Sequence, residues 1–219
     1  MIISFIAIPG SGKTTQIRML ENYFNANDYL TVSVPGLYKQ QEALFPYLLP
    51  NEIAEIERVK DERSQARARG ELAPIILDQI VFTLALRAHS LGKIVIMDGC
   101  PRGLTQATMF MEMLDDDLKV QYKIIELAFP SNPRKWSIER QVLRLREDPT
   151  LTDEEVTLRV RKIPKKVEVF FSDTVPGLNY LLNQGVRKLS VNALDTRENI
   201  HEVIKGFLLG GNQNDLSIS

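Results

Sequence analysis

Two short stretches of this chain hold residue types suited to handling phosphate. The first is "AIPGSGKTT", Ala7 to Thr15. Gly10 and Gly12 let backbone N–H groups turn inward and come close to phosphate oxygens with no Cβ in the way. Lys13 can reach terminal phosphates, and the Thr14 hydroxyl suits Mg²⁺. Ala7 stands where the P-loop (Walker A) pattern has its first glycine, a difference of one methyl group. The second stretch is "IVIMDGCPRGLTQ", Ile94 to Gln106. Here Asp98 ends an apolar run, Gly99 permits a close turn, and Pro101 fixes the backbone ahead of Arg102. A guanidinium projected from such a turn can clamp a phosphate through two parallel hydrogen bonds. Taken singly, the glycines could belong to a tight turn, Asp98 to a cap and Arg102 to a solvated surface. Their combination points to phosphate.

The surrounding elements must place these stretches together. Met1–Ile8 is a continuous apolar, β-branched run, the pattern of a strand buried on both faces, and Lys13–Asn25 has helical apolar spacing. Leu30–Val34, Lys93–Asp98, "YKIIELAF" and "GVRKLSV" supply four more strands. Between them lie helical stretches at about Asn51–Gly70, Pro74–Leu91, Leu104–Leu114, Arg134–Glu147 and Thr196–Leu208. Asn51 is expected to cap the first of these and Gly70 to stop it. Thr152 and Glu155 form a capping box for a further helix, which Pro164 should kink or divide. Strands alternating with helices give an α/β fold: a three-layer, five-stranded parallel sheet with helices on both faces. Ligands of such sheets sit at the carboxyl ends of strands, where both stretches fall.

Composition narrows the function further. The chain has 219 residues, enough for one full domain with inserted arms, here residues 1–208, followed by a frayed tail at 209–219. A net charge of -1 gives no overall attraction to nucleic acid or a membrane surface, so any basic site is local. One cysteine, Cys100, excludes an internal disulfide. No apolar run is long enough to span a bilayer, and the expectation is a soluble, cytoplasmic monomer.

"GSGKTTQ" and "DGCPRGLTQA" together resemble the adenylate kinases and related nucleoside monophosphate kinases, whose signatures read approximately "PGSGKGTQ" and "DGFPRTLTQA". "RGELAP", "IIELAFP", the "ER" at Glu139–Arg140 with Arg144 four residues on, and "TVPGLNYL" extend the likeness over most of residues 1–208. The resemblance implies a P-loop kinase fold with a helical acceptor arm at about 35–75 and a short lid at about 145–170. It implies that Pro9, Gly10, Ser11, Gly12, Lys13, Thr14 and Thr15 hold ATP. Thr14 would bind Mg²⁺ directly and Asp98 through water. Arg102, Gly99 and Gln106 would meet the acceptor. Arg140 would stack on adenine, Arg144 would reach the transferring phosphoryl, and Ala193 and Leu194 would border adenine. Lys13, Asp98, Arg102 and Arg144 would then form the catalytic set, as phosphoryl transfer asks for positioning and charge neutralisation more than for a protein nucleophile.

The chain departs from that family in two places. No arginine occurs between Arg18 and Arg58, so the arm lacks its usual phosphate clamp, and Lys39 is the candidate substitute. The lid carries no zinc-ligand cysteines, and Arg146, Arg159, Arg161 and Lys166 are candidates for its basic groups, Arg159 and Lys166 toward the acceptor. Three readings remain open: a nucleoside monophosphate kinase, a kinase of the same fold for another small acceptor, and a non-catalytic ATP-binding switch.

Overall fold

The computed structural model describes residues 1–69, 71 and 73–210, with the side chains of Gln41, Arg67 and Val120 excepted. In chain order the elements are β1 (Ile2–Ala7), α1 (Lys13–Tyr23), β2 (Tyr29–Val32), α2 (Gly36–Lys39), α3 (Gln41–Leu44), α4 (Pro50–Arg58) and α5 (Lys60–Arg69). There follow α6 (Ile75–Ser90), β3 (Ile94–Asp98), α7 (Leu104–Met113), α8 (Asp116–Gln121), β4 (Tyr122–Ala128) and α9 (Pro133–Arg146). Last come α10 (Asp153–Val160), α11 (Ile163–Val169), α12 (Val175–Asn183), β5 (Arg187–Asn192) and α13 (Arg197–Leu208).

The five strands form one parallel sheet in the order β2-β3-β1-β4-β5. β1 is central and pairs Phe5 with Asp98 on one side and with Ile125 on the other. Its alternation divides the core. Ile2 and Ile6 pack with Phe82, Phe110 and Leu178 on one face, while Ile3 and Phe5 pack with Ile17, Leu20 and Phe207 on the other. Burial on both faces is why this strand reads as an unbroken apolar run. Ser4 is the exception, and its role is structural. It is fully buried, its Oγ donates to the Cys100 carbonyl at 2.8 Å, and it accepts from the Tyr122 hydroxyl at 2.8 Å. A polar group in the middle of the central strand thereby anchors the turn after β3.

Several boundaries differ from the sequence expectation. The single helix expected over 51–70 is two, α4 and α5, parted at the buried Val59. Its start is at Pro50 and not capped by Asn51; Glu52 Oε2 accepts from the Leu49 N–H at 2.6 Å. Proline at the first helical position explains the shift. Glu52 also pairs with Arg87 at 3.0 Å, tying α4 to α6. The expected stop at Gly70 lies outside the described residues, as does the tail from 211 onward. The Thr152–Glu155 capping box forms, with Thr152 N–H to Glu155 Oε2 at 2.9 Å. The helix it starts is divided just before Pro164, which enters α11 near its first turn. Four helices, the short α2 and α3 together with α8 and α12, were not anticipated. No described helix is long and apolar enough to cross a membrane.

Candidate active site

The segment between β1 and α1 folds as a tight glycine-cornered loop running into a helix N-terminus. Gly10 and Gly12 have φ of 85° and 93°, a region costly for residues with a Cβ. A Cβ on Gly10 would also meet the Ser137 carbonyl oxygen at 3.0 Å, so α9 packs directly on the loop. Ser137 Oγ donates to the Pro9 carbonyl at 2.5 Å from the same helix. The first N–H groups of α1 are left without side-chain caps, Gly12 being the N-cap. That arrangement is a ready receptor for an anion, helped by the helix dipole.

The strand register carries Asp98 beside this loop, since β3 pairs directly with β1. Asp98 and Lys13 are in contact as an ion pair. Burial first, and then the neighbouring Arg102 guanidinium, bring the Lys13 ammonium down to about 8. Gly99 has φ of 70°, and a Cβ there would lie 3.3 Å from Arg102 Nη2 and 3.4 Å from Lys13 Nζ. The backbone at Gly99 is therefore the floor on which both cations rest. Arg102 is held by its Nε donating to the Gly99 carbonyl at 2.6 Å, while its N–H donates to Gln106 Oε1 at 2.6 Å. Cys100 is buried, which pushes its thiol up to about 12 and keeps it unreactive.

A single cleft of about 730 Å³ runs from the loop to the arm. Pro9 to Thr15, Asp98, Gly99, Arg102, Gln106, Arg140, Arg144, Lys39 and Lys166 all line it. A side cavity of about 280 Å³ is bordered by Ser11, Gly12, Thr15, Gln16, Arg140 and Ala193. Arg140 joins the two spaces, its Nη1 donating to the Ala193 carbonyl at 2.7 Å. Four expected residues are not brought in, Arg146 and Arg161 of the lid among them, since neither lines the cleft. Leu194 lines neither space and its N–H turns to Asn192 Oδ1 at 2.9 Å. Arg159 stays on α10 beside Glu155, at 4.0 Å.

Three charged lining residues escaped the sequence reading. Arg63 reaches the cleft from α5, its guanidinium 4.3 Å from the centroid of the Tyr38 ring. Glu71 and Asp78 also line it. The signal was present in "GLYK" and "DERSQ", but a stacked aromatic–arginine pair 25 positions apart leaves no local spacing to read. Among the described lining residues, Lys13, Lys39, Arg63, Arg102, Arg140, Arg144 and Lys166 face Asp98, Asp78 and Glu71. The cleft is thus cationic in a chain whose net charge is -1. That is the field two phosphate-bearing ligands require.

The described residues hold no group of three or more His, Cys, Asp or Glu able to enclose a metal. One hydroxyl (Thr14) and one carboxylate (Asp98) at the loop nevertheless suit Mg²⁺, which is commonly carried by one or two protein oxygens together with substrate phosphates.

A parallel sheet with a phosphate loop after its central strand, a carboxylate after the neighbouring strand and a cationic cleft beyond defines the class of the P-loop kinases. An adenylate kinase from Prochlorococcus marinus (strain MIT 9301) is 30% identical over 181 residues, covering 81% of this chain and 82% of that protein. One from Phocaeicola vulgatus is 27% identical over 188 residues, covering 84% of this chain and 85% of its own. Another, from Orientia tsutsugamushi (strain Boryong), is 30% identical over 128 residues, 58% of this chain and 53% of its own. No protein-family model matches the chain. The chain belongs to the adenylate kinase family, a family of nucleotide kinases.

Proposed function

We propose that the chain transfers the terminal phosphoryl group of ATP to a nucleoside monophosphate, giving ADP and the nucleoside diphosphate. The observation that carries this reading is that Lys13, at the donor loop, and Arg102, on the acceptor side, rest against one glycine, Gly99. A phosphoryl group passing between two ligands would remain in contact with fixed cations throughout. On this reading Pro9–Thr15 cradle the ATP phosphates, Arg140 and Ala193 border its base, and Arg144 approaches the moving phosphoryl. Mg²⁺ carried by the ATP phosphates, with Thr14 and water-bridged Asp98, supplies further neutralisation of charge.

The acceptor side is residues 35–75, and the lid is residues 145–170 with Lys166 directed to the cleft. Arg63, presented by Tyr38, takes the part of the missing arm arginine, with Lys39 beside it. A guanidinium stacked on a ring loses little freedom when it meets a phosphate, so it substitutes well for a clamp on a different helix. The test is a coupled assay of ADP formation with Mg²⁺, ATP and a panel of nucleoside monophosphates. Diphosphate product from at least one of them is expected. ATP binding with no diphosphate from any member would overturn the proposal.

A further inference from the structure

Asp78 has no part in the transfer chemistry, yet it lines the acceptor end of the cleft and is only 3% exposed. It lies in the first turn of α6, and its Oδ2 accepts from Gln106 Nε2 at 2.7 Å. Gln106 is itself oriented, because its Oε1 is taken by the Arg102 N–H. The amide therefore cannot flip, and its Nε2 keeps a second N–H besides the one given to Asp78. An ionised carboxylate has about four lone-pair sites, and the bond from Gln106 occupies one. Asp78 and Gln106 thus place an obligate acceptor next to an obligate donor at a buried point of the cleft. From this juxtaposition we infer that Asp78 is the specificity-determining residue that reads the acceptor's base, selecting monophosphates whose base bears an exocyclic amino group.

The chemistry of the base edges supports this. Adenine and cytosine pair an amino donor with a ring-nitrogen acceptor, the complement of Asp78 beside the Gln106 amide. Guanine presents N–H donors side by side next to its carbonyl and is also accommodated. Uracil and thymine flank their only ring N–H with two carbonyl oxygens, which face a carboxylate with like partial charge. Burial holds the Asp78 carboxyl up to about 7, against the nearby Arg102 charge and the Gln106 bond. Such a group gains most from a ligand that donates to it, since burying a charge without donors is costly. A purely structural partner for Gln106 would be served equally by a neutral amide.

The inference rests on the phosphotransferase reading for what occupies the cleft, and its test separates the two. Binding of AMP, CMP, GMP, UMP and dTMP to the wild type and to Asp78→Asn is measured by calorimetry at pH 8, with turnover recorded in parallel. The wild type is expected to bind the amino-bearing members on the order of 10- to 100-fold more tightly than UMP and dTMP. In Asp78→Asn that ratio should fall to within about threefold, with ATP affinity unchanged. Equal binding of all five by the wild type, binding of none, or a ratio that survives the substitution would overturn the assignment. If Asp78→Asn fails to fold, Asp78→Ser takes its place with the same loss of the ratio expected. Base preference without phosphoryl transfer would sink the kinase reading and leave Asp78 its role. Transfer without preference would do the reverse.

Discussion

On the proposed function, the donor and acceptor ends of the cleft are built on opposite plans. At the donor end the work is done by backbone: glycines at positive φ, uncapped helix N–H groups and one lysine, all within residues 9–15. At the acceptor end it is done by side chains from distant elements: Arg63 from α5, Asp78 from α6, and Arg102 and Gln106 at the start of α7. A backbone receptor has few sequence solutions, because only glycine adopts those angles cheaply while letting an anion approach. A side-chain receptor has many, as a guanidinium can arrive from any helix that reaches the phosphate.

That contrast can be broken by mutation, most severely where the two ends meet. Lys13→Met should lower kcat by about 10³-fold, since a preorganised charge at the transferring group is lost. The variant should fold, because the lysine's burial costs it charge stabilisation already, and circular dichroism would check this. Gly99→Val should come next, at about 10²-fold in kcat, raising KM for both substrates at once. Its φ of 70° is strained for a branched residue, and its side chain would displace both Arg102 and Lys13. If only one KM moves, the two ends are not joined at this residue.

Arg63→Lys should be milder and one-sided. We expect KM for the acceptor to rise about tenfold with KM for ATP unchanged, because a lysine keeps the charge and loses the fork and the stack on Tyr38. An unchanged acceptor KM would return the clamp to Lys39. Smallest is a stability effect at Asp78. An unfolded aspartate loses its proton near its ordinary 3.8, whereas the folded protein keeps it until about 7. Within that window the folded state binds more protons, so stability should fall as pH rises from about 4 to about 7 and stay low above it. Asp78→Asn removes this dependence, raising the melting midpoint at pH 8 and leaving it little changed at pH 4. A midpoint lowered at pH 8 would mean the carboxylate stabilises the fold.

The same contrast explains what could be read from the chain. The centre of the sheet was legible because β1 and β3 are short apolar runs ending in turn residues, and parallel strands buried on both faces leave that mark undiluted. The loop at Pro9–Thr15 was legible because the glycines and lysine that shape it are near neighbours in the chain. Arg102 and Gln106 were legible for the same reason, both following β3 within eight positions. Arg63 and Asp78 were not, because their place in the cleft depends on how α5 and α6 pack, which no spacing records. The single helix expected over 51–70 failed on a related point: Val59 looked like one more apolar residue of a continuous helix, but α4 and α5 part at this buried residue. Ser4 was passed over inside an apolar strand, although it is the contact that anchors the turn carrying Arg102.

The central claim is that phosphoryl passes directly from the donor loop to an acceptor held by Arg102 and Arg63. A single-turnover experiment with ATP labelled at its terminal phosphate, enzyme in excess and the best-binding monophosphate present, tests it most directly. The account predicts that the label appears in the nucleoside diphosphate, with little free phosphate. Label released only as inorganic phosphate, or retained in ATP while both ligands are bound, would contradict it.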